Sequence, residues 1–197
     1  MIDGETASCT IAPTGLATDR GKVGLSNGGG FLQQLACDGS DKIVGIAIDL
    51  SDGLADGVTR SARGIQIACA QVTIDGAGGH VGVVRTKQIS GNGGSGWSPA
   101  TLSPIARCPD DAVVSGLAVH GSPNVNYFLD ATMQCSKFDN AGNFAGTSLV
   151  AIAGSGTDNT NPSSAECQNG EQVTQLTGNT GAGLDSVRLQ CRQTICQ

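Results

Sequence analysis

Charged and aromatic side chains are scarce in this sequence. Asp, Glu, Lys and Arg together make up 14% of the 197 residues, and the aromatic residues are one tryptophan, one tyrosine and four phenylalanines. The 17 acidic residues outnumber the 11 basic ones and give a formal net charge of −6. Binding to nucleic acid requires clustered Lys and Arg that neutralise phosphates. The sequence therefore argues against nucleic acid as a partner, and against anionic membranes for the same reason.

Long apolar runs and helical periodicity are missing as well. No stretch approaches the roughly 20 apolar residues that cross a bilayer, so we expect no membrane span. Residues 1–4 lack the basic start and apolar stretch of a signal peptide, which indicates a mature region whose export signal was removed. The 30 glycines and the short Val, Ile and Leu runs indicate strands joined by many turns, in a single domain over residues 1–197.

Cysteine, by contrast, is abundant, since the chain has 8. An even and high count in a chain of this size indicates a disulfide framework and a secreted, extracellular or cell-surface location. Zinc binding is the alternative, but no Cys-x-x-Cys pair occurs and only His80 and His120 could assist. We therefore predict disulfides rather than a metal site.

A threefold repeat is the strongest signal in the sequence. Each copy opens with a cysteine followed by an apolar strand, and closes with a strand that has apolar residues four and two positions before a second cysteine. Alternate positions share one face of a strand, so this pattern predicts a half-buried strand. The residue eight positions after the first cysteine is Gly45, Gly116 or Gln175, so the third copy breaks the glycine pattern. The closing strands are Ile65–Cys69, Ala131–Cys135 and Val187–Cys191.

The repeat favours one disulfide pairing among the roughly 105 that eight cysteines allow. Each pair inside a repeat would contribute about 3–4 kcal/mol in the chain-entropy model. The two remaining cysteines would join the chain ends. The predicted pairs are Cys37 with Cys69, Cys108 with Cys135, Cys167 with Cys191, and Cys9 with Cys196.

Cutting the chain at the repeats gives blocks of about 20–85, 86–148 and 149–197 after a short N-terminal lead. A glycine-rich stretch precedes each first cysteine, and apolar runs in segments 73–88 and 138–152 predict outer strands. A closed threefold arrangement of small antiparallel sheets would bury the shared apolar faces centrally and leave few sheet edges exposed.

Three stretches of the sequence resemble vitelline membrane outer layer protein I. The resemblance covers most of the chain after about residue 20, although tryptophan occurs in only one glycine-rich stretch and the loops of the first block are longer. It implies an all-β fold, namely a three-fold pseudo-symmetric β-prism of three antiparallel Greek-key sheets stapled by disulfides. It also implies an extracellular protein of coats and matrices, in a fold that some plant lectins share. The stretches are Gly93–Ser98, Cys108–Asp111 with Ser115–Leu117, and Gly183–Arg192.

An acidic stretch is a candidate calcium site. Asp49, Asp52 and Asp56 are interspersed with glycines, and such carboxylates can surround a hard cation. A solvated hairpin loop explains them equally well, so no cofactor is required. The acidic residues next to the first cysteines are interpreted as turn residues. These are Asp38, Asp41, Asp110 and Asp111.

A second group of residues has the chemistry of a sugar site. Sugar binding uses backbone N–H groups of a glycine-rich loop, a carboxylate that accepts hydroxyl protons, and an aromatic platform. The candidates are Gly94, Gly96, Trp97, Tyr127 and Asp185. The alternative is that Trp97 packs against its own sheet.

No catalytic constellation is recognised, and His80 and His120 are typical of surface or turn residues, so we predict no enzymatic activity. The sequence favours an extracellular structural or interaction module of a coat, sheath, filament or matrix, which self-associates or binds other surface proteins. The alternative is a carbohydrate-binding, lectin-like module that uses the glycine-rich loop tips to bind glycans.

Overall fold

The computed structural model of the chain describes residues 8–24, 31–51, 61–90, 101–102, 104–121, 128–152, 162–180 and 184–197. All regular elements in these ranges are β-strands, and none of these ranges contains a helix long and apolar enough to cross a membrane. In chain order the strands are β1 (Cys9–Gly24), β2 (Phe31–Ala36), β3 (Lys42–Ser51), β4 (Ser61–Ala70), β5 (Val72–Asp75), β6 (Gly78–Val81), β7 (Arg85–Ser90), β8 (Thr101–Leu102), β9 (Ala106–Arg107), β10 (Ala112–Gly121), β11 (Phe128–Phe138), β12 (Phe144–Ile152), β13 (Pro162–Glu166), β14 (Glu171–Thr180) and β15 (Leu184–Cys196).

The strands form three antiparallel sheets, which we name I, II and III. Sheet I has the order β2-β14-β15-β1-β5-β6, sheet II the order β12-β11-β10-β13, and sheet III the order β7-β4-β3-β8, with β9 also paired to β3. Each sheet has the hairpin of one repeat at its centre, namely β14–β15, β10–β11 or β3–β4. This is the β-prism of three sheets that the sequence predicts.

A β-bulge recurs at the same place in each central hairpin. The residue seven positions after the first cysteine has no partner in the closing strand, because the register shifts there. A bulge bends its strand and increases the local twist. The three central hairpins therefore share a local bend at the same place in the repeat. The bulged residues are Val44, Ser115 and Thr174.

The strand before each first cysteine, which we call a crossing strand, lies in a different sheet from the hairpin that follows it. The crossing strand β2 pairs with β14, β8 and β9 pair with β3, and β13 pairs with β10. The backbone N–H groups of Cys108 and Cys167 continue this pairing, donating to the carbonyl oxygens of Val44 and Ser115. The sheets therefore do not coincide with sequence blocks, because each sheet takes the crossing strand that leads into another block.

The residue eight positions after each first cysteine lies directly opposite a residue of the crossing strand. A Cβ atom at Gly45 would overlap the carbonyl oxygen of Ala106, so this position needs glycine. In the third repeat Gln175 occupies the equivalent position, opposite Ala36. The facing pairs are Gly45 with Arg107, Gly116 with Glu166, and Gln175 with Ala36.

In sheet I the strand that pairs with the closing strand of the hairpin comes from the opposite end of the chain. Sheets II and III use β12 and β7, which follow their hairpins in sequence, but sheet I uses β1. Strand β1 pairs with β15 from Ile11 opposite Cys196 to Gly24 opposite Ser186. The N-terminal lead thus contributes a full strand over Cys9–Gly24, and the two ends of the described chain lie side by side.

The main core lies between the three sheets. The apolar residues of the closing strands point into it as the alternation predicts, and Ile65, Ile67 and Cys69 are at most 1% exposed. A second apolar cluster joins the sheets at the end of the prism where the first cysteines lie. There Val72 of the β5–β6 hairpin packs in a cluster that includes Phe138 of sheet II. These two clusters fix the sheets relative to one another.

Four disulfides connect the strands. Three of them join each crossing corner to the closing strand of the next hairpin, and the fourth joins β1 to β15. The Cα atoms are 5.6 Å apart in Cys37–Cys69, 5.8 Å in Cys108–Cys135, 5.6 Å in Cys167–Cys191 and 5.3 Å in Cys9–Cys196.

Candidate functional site

The structure describes the chain turns at one end of the prism, and at the other end the chain leaves the described residues. The cysteine end holds the three corners that follow the first cysteines, and the opposite end is here called the loop end. Strands β1, β3, β7, β10, β12 and β14 all run toward the loop end, and from each of them the chain continues outside the described residues. Loops at one end of a rigid β scaffold are common places for binding residues. The last residues of these strands are Gly24, Ser51, Ser90, Gly121, Ile152 and Thr180.

Two of the residues that the sequence predicts as ligand-binding lie in described strands near the loop end. Asp49 lies near the end of β3, opposite Gly64 and Leu102, and Asp185 is the second residue of β15. The other candidates fall outside the described residues, and their role stays a prediction. These candidates are Asp52, Asp56, Gly94, Gly96, Trp97 and Tyr127.

Asp185 occupies a second bulge of the repeat. The register of β14 and β15 passes from Asn179 opposite Ser186 to Thr180 opposite Leu184, so Asp185 has no partner in β14. The same shift occurs in the other two central hairpins, six residues before each second cysteine. A bulge interrupts the in–out alternation of side chains and often lies next to a functional site. Asp185 is the one carboxylate among the three equivalent residues, since the others are Arg63 and Leu129.

The acidic residues of the cysteine end are engaged in turns and ion pairs, as expected of turn residues. The N–H of Asp41 donates to the carbonyl oxygen of Asp38, and the N–H of Ala112 donates to that of Pro109, which closes equivalent turns after two of the first cysteines. Basic residues of the neighbouring strands neutralise most of these carboxylates. The pairs are Lys87 with Asp38 at 2.6 Å, Arg85 with Asp41 at 2.8 Å, and Lys137 with Asp111 at 3.5 Å.

Arg20 and Glu171 form a buried ion pair at the same end. The sequence does not predict this pair, because its partners are 151 residues apart and neither lies in a motif. The Glu171 carboxylate, 4% exposed, accepts hydrogen bonds from Nε and Nη2 of Arg20 and from the N–H of Gln168. Burial acts to raise the pKa of Glu171, but these hydrogen bonds and the charge of Arg20 outweigh burial and lower that pKa. Glu171 is therefore an anion that ties β1 to β14.

Cys167, Glu171 and Cys191 form the only group in the described ranges whose ligand atoms lie close enough to hold a metal ion. The two sulfur atoms are bonded to each other, so neither is a thiolate. Arg20 already occupies the carboxylate. The group is therefore a structural corner rather than a metal site.

The two histidines lie in different sheets, His80 in sheet I and His120 in sheet II. The Nε2 atom of His80 is 3.0 Å from a carboxylate oxygen of Asp75 in the β5–β6 hairpin. Hydrogen bonds to the Asp75 carboxylate lower its pKa. The N–H of Ala77 has the largest effect, and the side chain of His80 has the next largest. His120 lies in β10 opposite Asp130 and Pro162. His80 is therefore a surface residue, as predicted, since its side chain is 56% exposed, and the interpretation of His120 as a surface or turn residue stays a prediction.

The chain was compared with known proteins. It matches no protein-family model and no curated protein. Among solved structures, Calystegia sepium agglutinin is 17% identical, with a TM-score of 0.57 over 91% of this chain and 99% of that one. Calsepa lectin in complex with a biantennary N-glycan has the same identity and coverage and a TM-score of 0.56. Malaysian banana lectin is 15% identical, with a TM-score of 0.50 over 90% of this chain and 99% of that one.

At these identities the likeness shows the fold alone. The all-β prism of three antiparallel sheets that the sequence predicts is confirmed. The narrower likeness to vitelline membrane outer layer protein I stays a prediction, as do the ligand residues.

Proposed function

We propose that this protein is an extracellular carbohydrate-binding module whose ligand site lies at the loop end of the prism. The observation that carries this proposal is the architecture shared with lectins over nine-tenths of the chain, one of them in complex with a biantennary N-glycan. The four disulfides support an exported protein. The lectin neighbours support binding without catalysis.

The residues proposed for the site have complementary chemistry. A sugar presents hydroxyl groups at its edge and C–H groups on its face. Backbone N–H groups at Gly94 and Gly96 would donate to hydroxyl oxygens, the Asp185 carboxylate would accept hydroxyl protons, and Trp97 and Tyr127 would cover the C–H face. The bulge at Asp185 supports this role, because bulges often lie next to functional sites and only this one of the three equivalent bulges has an acidic residue.

A binding assay with matched variants tests the proposal. The wild type is applied to an array of neutral glycans, and retention is compared with that of Trp97→Ala and Asp185→Asn. We expect each variant to lose at least about tenfold in affinity, or about 1.4 kcal/mol. Leu149→Ala is the control. Leu149 is 74% exposed, so its loss should not disturb the fold, and it lies within β12 rather than at the end of the strand.

Two results would contradict the proposal. One is a wild type that binds no glycan on the array, and the other is equal binding by wild type and both site variants. Addition of EDTA tests whether glycan binding needs calcium. Asp49, Asp52 and Asp56 would have a role as calcium ligands in binding only if chelation abolishes it. We expect binding to survive EDTA. A role as a structural module that self-associates or binds other surface proteins stays a prediction.

A further inference from the structure

The two ends of the described chain leave the prism next to each other. Cys9 near the start of β1 is bonded to Cys196 at the end of β15, with Cα atoms 5.3 Å apart. Beside this bridge the backbones of Thr10 and Gln197 exchange two N–H···O hydrogen bonds of 2.7 and 3.0 Å. The bridge thus lies at the open end of an antiparallel strand pair.

The pairing of β1 with β15 is weak against force applied through these ends. The strands are antiparallel, so a force that separates Ser8 from Gln197 acts across the pair at its open end. Such a force opens the backbone hydrogen bonds one after another, and each contributes only about 0.5–1.5 kcal/mol net. Without a crosslink, separation would begin at Thr10 and Gln197 and advance along β1.

Loss of β1 would damage both apolar clusters. Val23 belongs to the main core and Ile11 to the cluster at the cysteine end, and both are fully buried. Strand β1 also lies between β15 and β5, so its removal would detach the β5–β6 hairpin from sheet I. Sheet I therefore depends on the strand that force at the chain ends would peel away first.

The terminal disulfide blocks this process where it would start. It spans a sequence separation of 187, and the other three bridges close separations of 32, 27 and 24 inside that span. Gly142 of the β11–β12 turn lies against the bridge, and a Cβ atom there would overlap the Cys196 sulfur. Sheet II thus covers the bridge that closes sheet I.

We propose that the Cys9–Cys196 bridge makes the prism an inextensible link under tension. Force entering through the two chain ends crosses the disulfide, and the three sheets are not stretched. This property is independent of the glycan-binding proposal, because it rests on the cysteine end and needs no ligand.

Single-molecule force spectroscopy on the oxidised full chain, with handles fused to both ends, tests the proposal. We expect no unfolding step in the wild type. The variant Cys9→Ser/Cys196→Ser should lengthen by about 350 Å, because the three internal bridges leave about 104 of the 187 residue separations free at roughly 3.3–3.6 Å each. The control Cys108→Ser/Cys135→Ser also loses one bridge, and it should stay as inextensible as the wild type.

Two outcomes would overturn the proposal. They are a wild type that lengthens by more than about 50 Å at forces that open the terminal variant, and a terminal variant that does not lengthen over the same range of force. If the terminal variant does not fold, the wild type is pulled from Asn140 and Gln197 instead, two points that the bridge does not span. It should then lengthen by about 100 Å, and failure to do so would show that the sheets, not the bridge, resist the force.

Discussion

Replacing Arg20 by leucine removes the cation from a carboxylate that the fold buries. The side chain of Glu171 is 5% exposed and that of Arg20 is 20% exposed. Removing one partner of a fully buried ion pair costs about 3–5 kcal/mol. Glu171 keeps the N–H of Gln168, and water reaches the Arg20 side, so we expect the free energy of unfolding of Arg20→Leu to fall by about 2–3 kcal/mol.

The effect should depend on pH with a definite sign. The pKa of Glu171 in the folded chain lies below its ordinary value of 4.5, so the stability that the pair contributes is fully present above that value. It is lost as the pH falls through the lower folded pKa. The difference between wild type and Arg20→Leu should therefore be constant from pH 7 to about pH 5 and shrink toward pH 2.

Urea denaturation with the disulfides intact, followed by circular dichroism, measures the difference at each pH. Arg188→Leu is the matched control on the same sheet, because Arg188 pairs with Asp19 in an ion pair whose side chains are 52% and 44% exposed. An exposed pair contributes about 0–1 kcal/mol. Equal losses in the two variants, or a loss in Arg20→Leu that does not change between pH 5 and pH 2, would refute the reasoning.

Further substitutions test the core and the crossing strands. Met133→Ala, at a fully buried position, should lower the free energy of unfolding by about 2–5 kcal/mol, whereas Leu149→Ala should stay within about 0.5 kcal/mol, both measured by urea denaturation. Gly45→Ala should cost about 1–3 kcal/mol because its Cβ overlaps the backbone of the crossing strand, and Gln175→Ala, at the equivalent position, should be near neutral because it introduces no overlap, so equal losses would contradict the explanation by steric overlap. Gly142→Ala should slow the return of the Cys9–Cys196 bridge after reduction, measured by peptide mapping, and an unchanged rate would show that the turn does not restrict it.

The local features of the fold were predictable from the sequence. Strands such as Ile65–Cys69 alternate apolar residues toward one face, and the structure buries that face. The spacing from each first cysteine repeats closely enough to reveal the hairpins. These signals are local because a strand and its hairpin partner are near each other in sequence.

Features that depend on closure of the whole prism were not predictable. No residue of β1 or β2 indicates that these strands pair with β15 and β14, which lie more than 100 residues further along the chain. Val83 continues an apolar run and was expected in an outer strand, but it is 76% exposed and lies in the connection between β6 and β7, and β7 is the strand that pairs with β4. The partners Arg20 and Glu171 meet only when β1 docks on β15, so neither could be matched from the sequence.

The exchange of crossing strands makes the three repeats depend on one another. In an open array of repeats, each unit stacks only on its neighbours, so units can be added or lost. Here each sheet borrows a strand from another block in a closed cycle, so deleting one block would leave one sheet without a crossing strand and another crossing strand without a sheet. A chain of one block could therefore build this prism only as a trimer, each copy lending its crossing strand to the next.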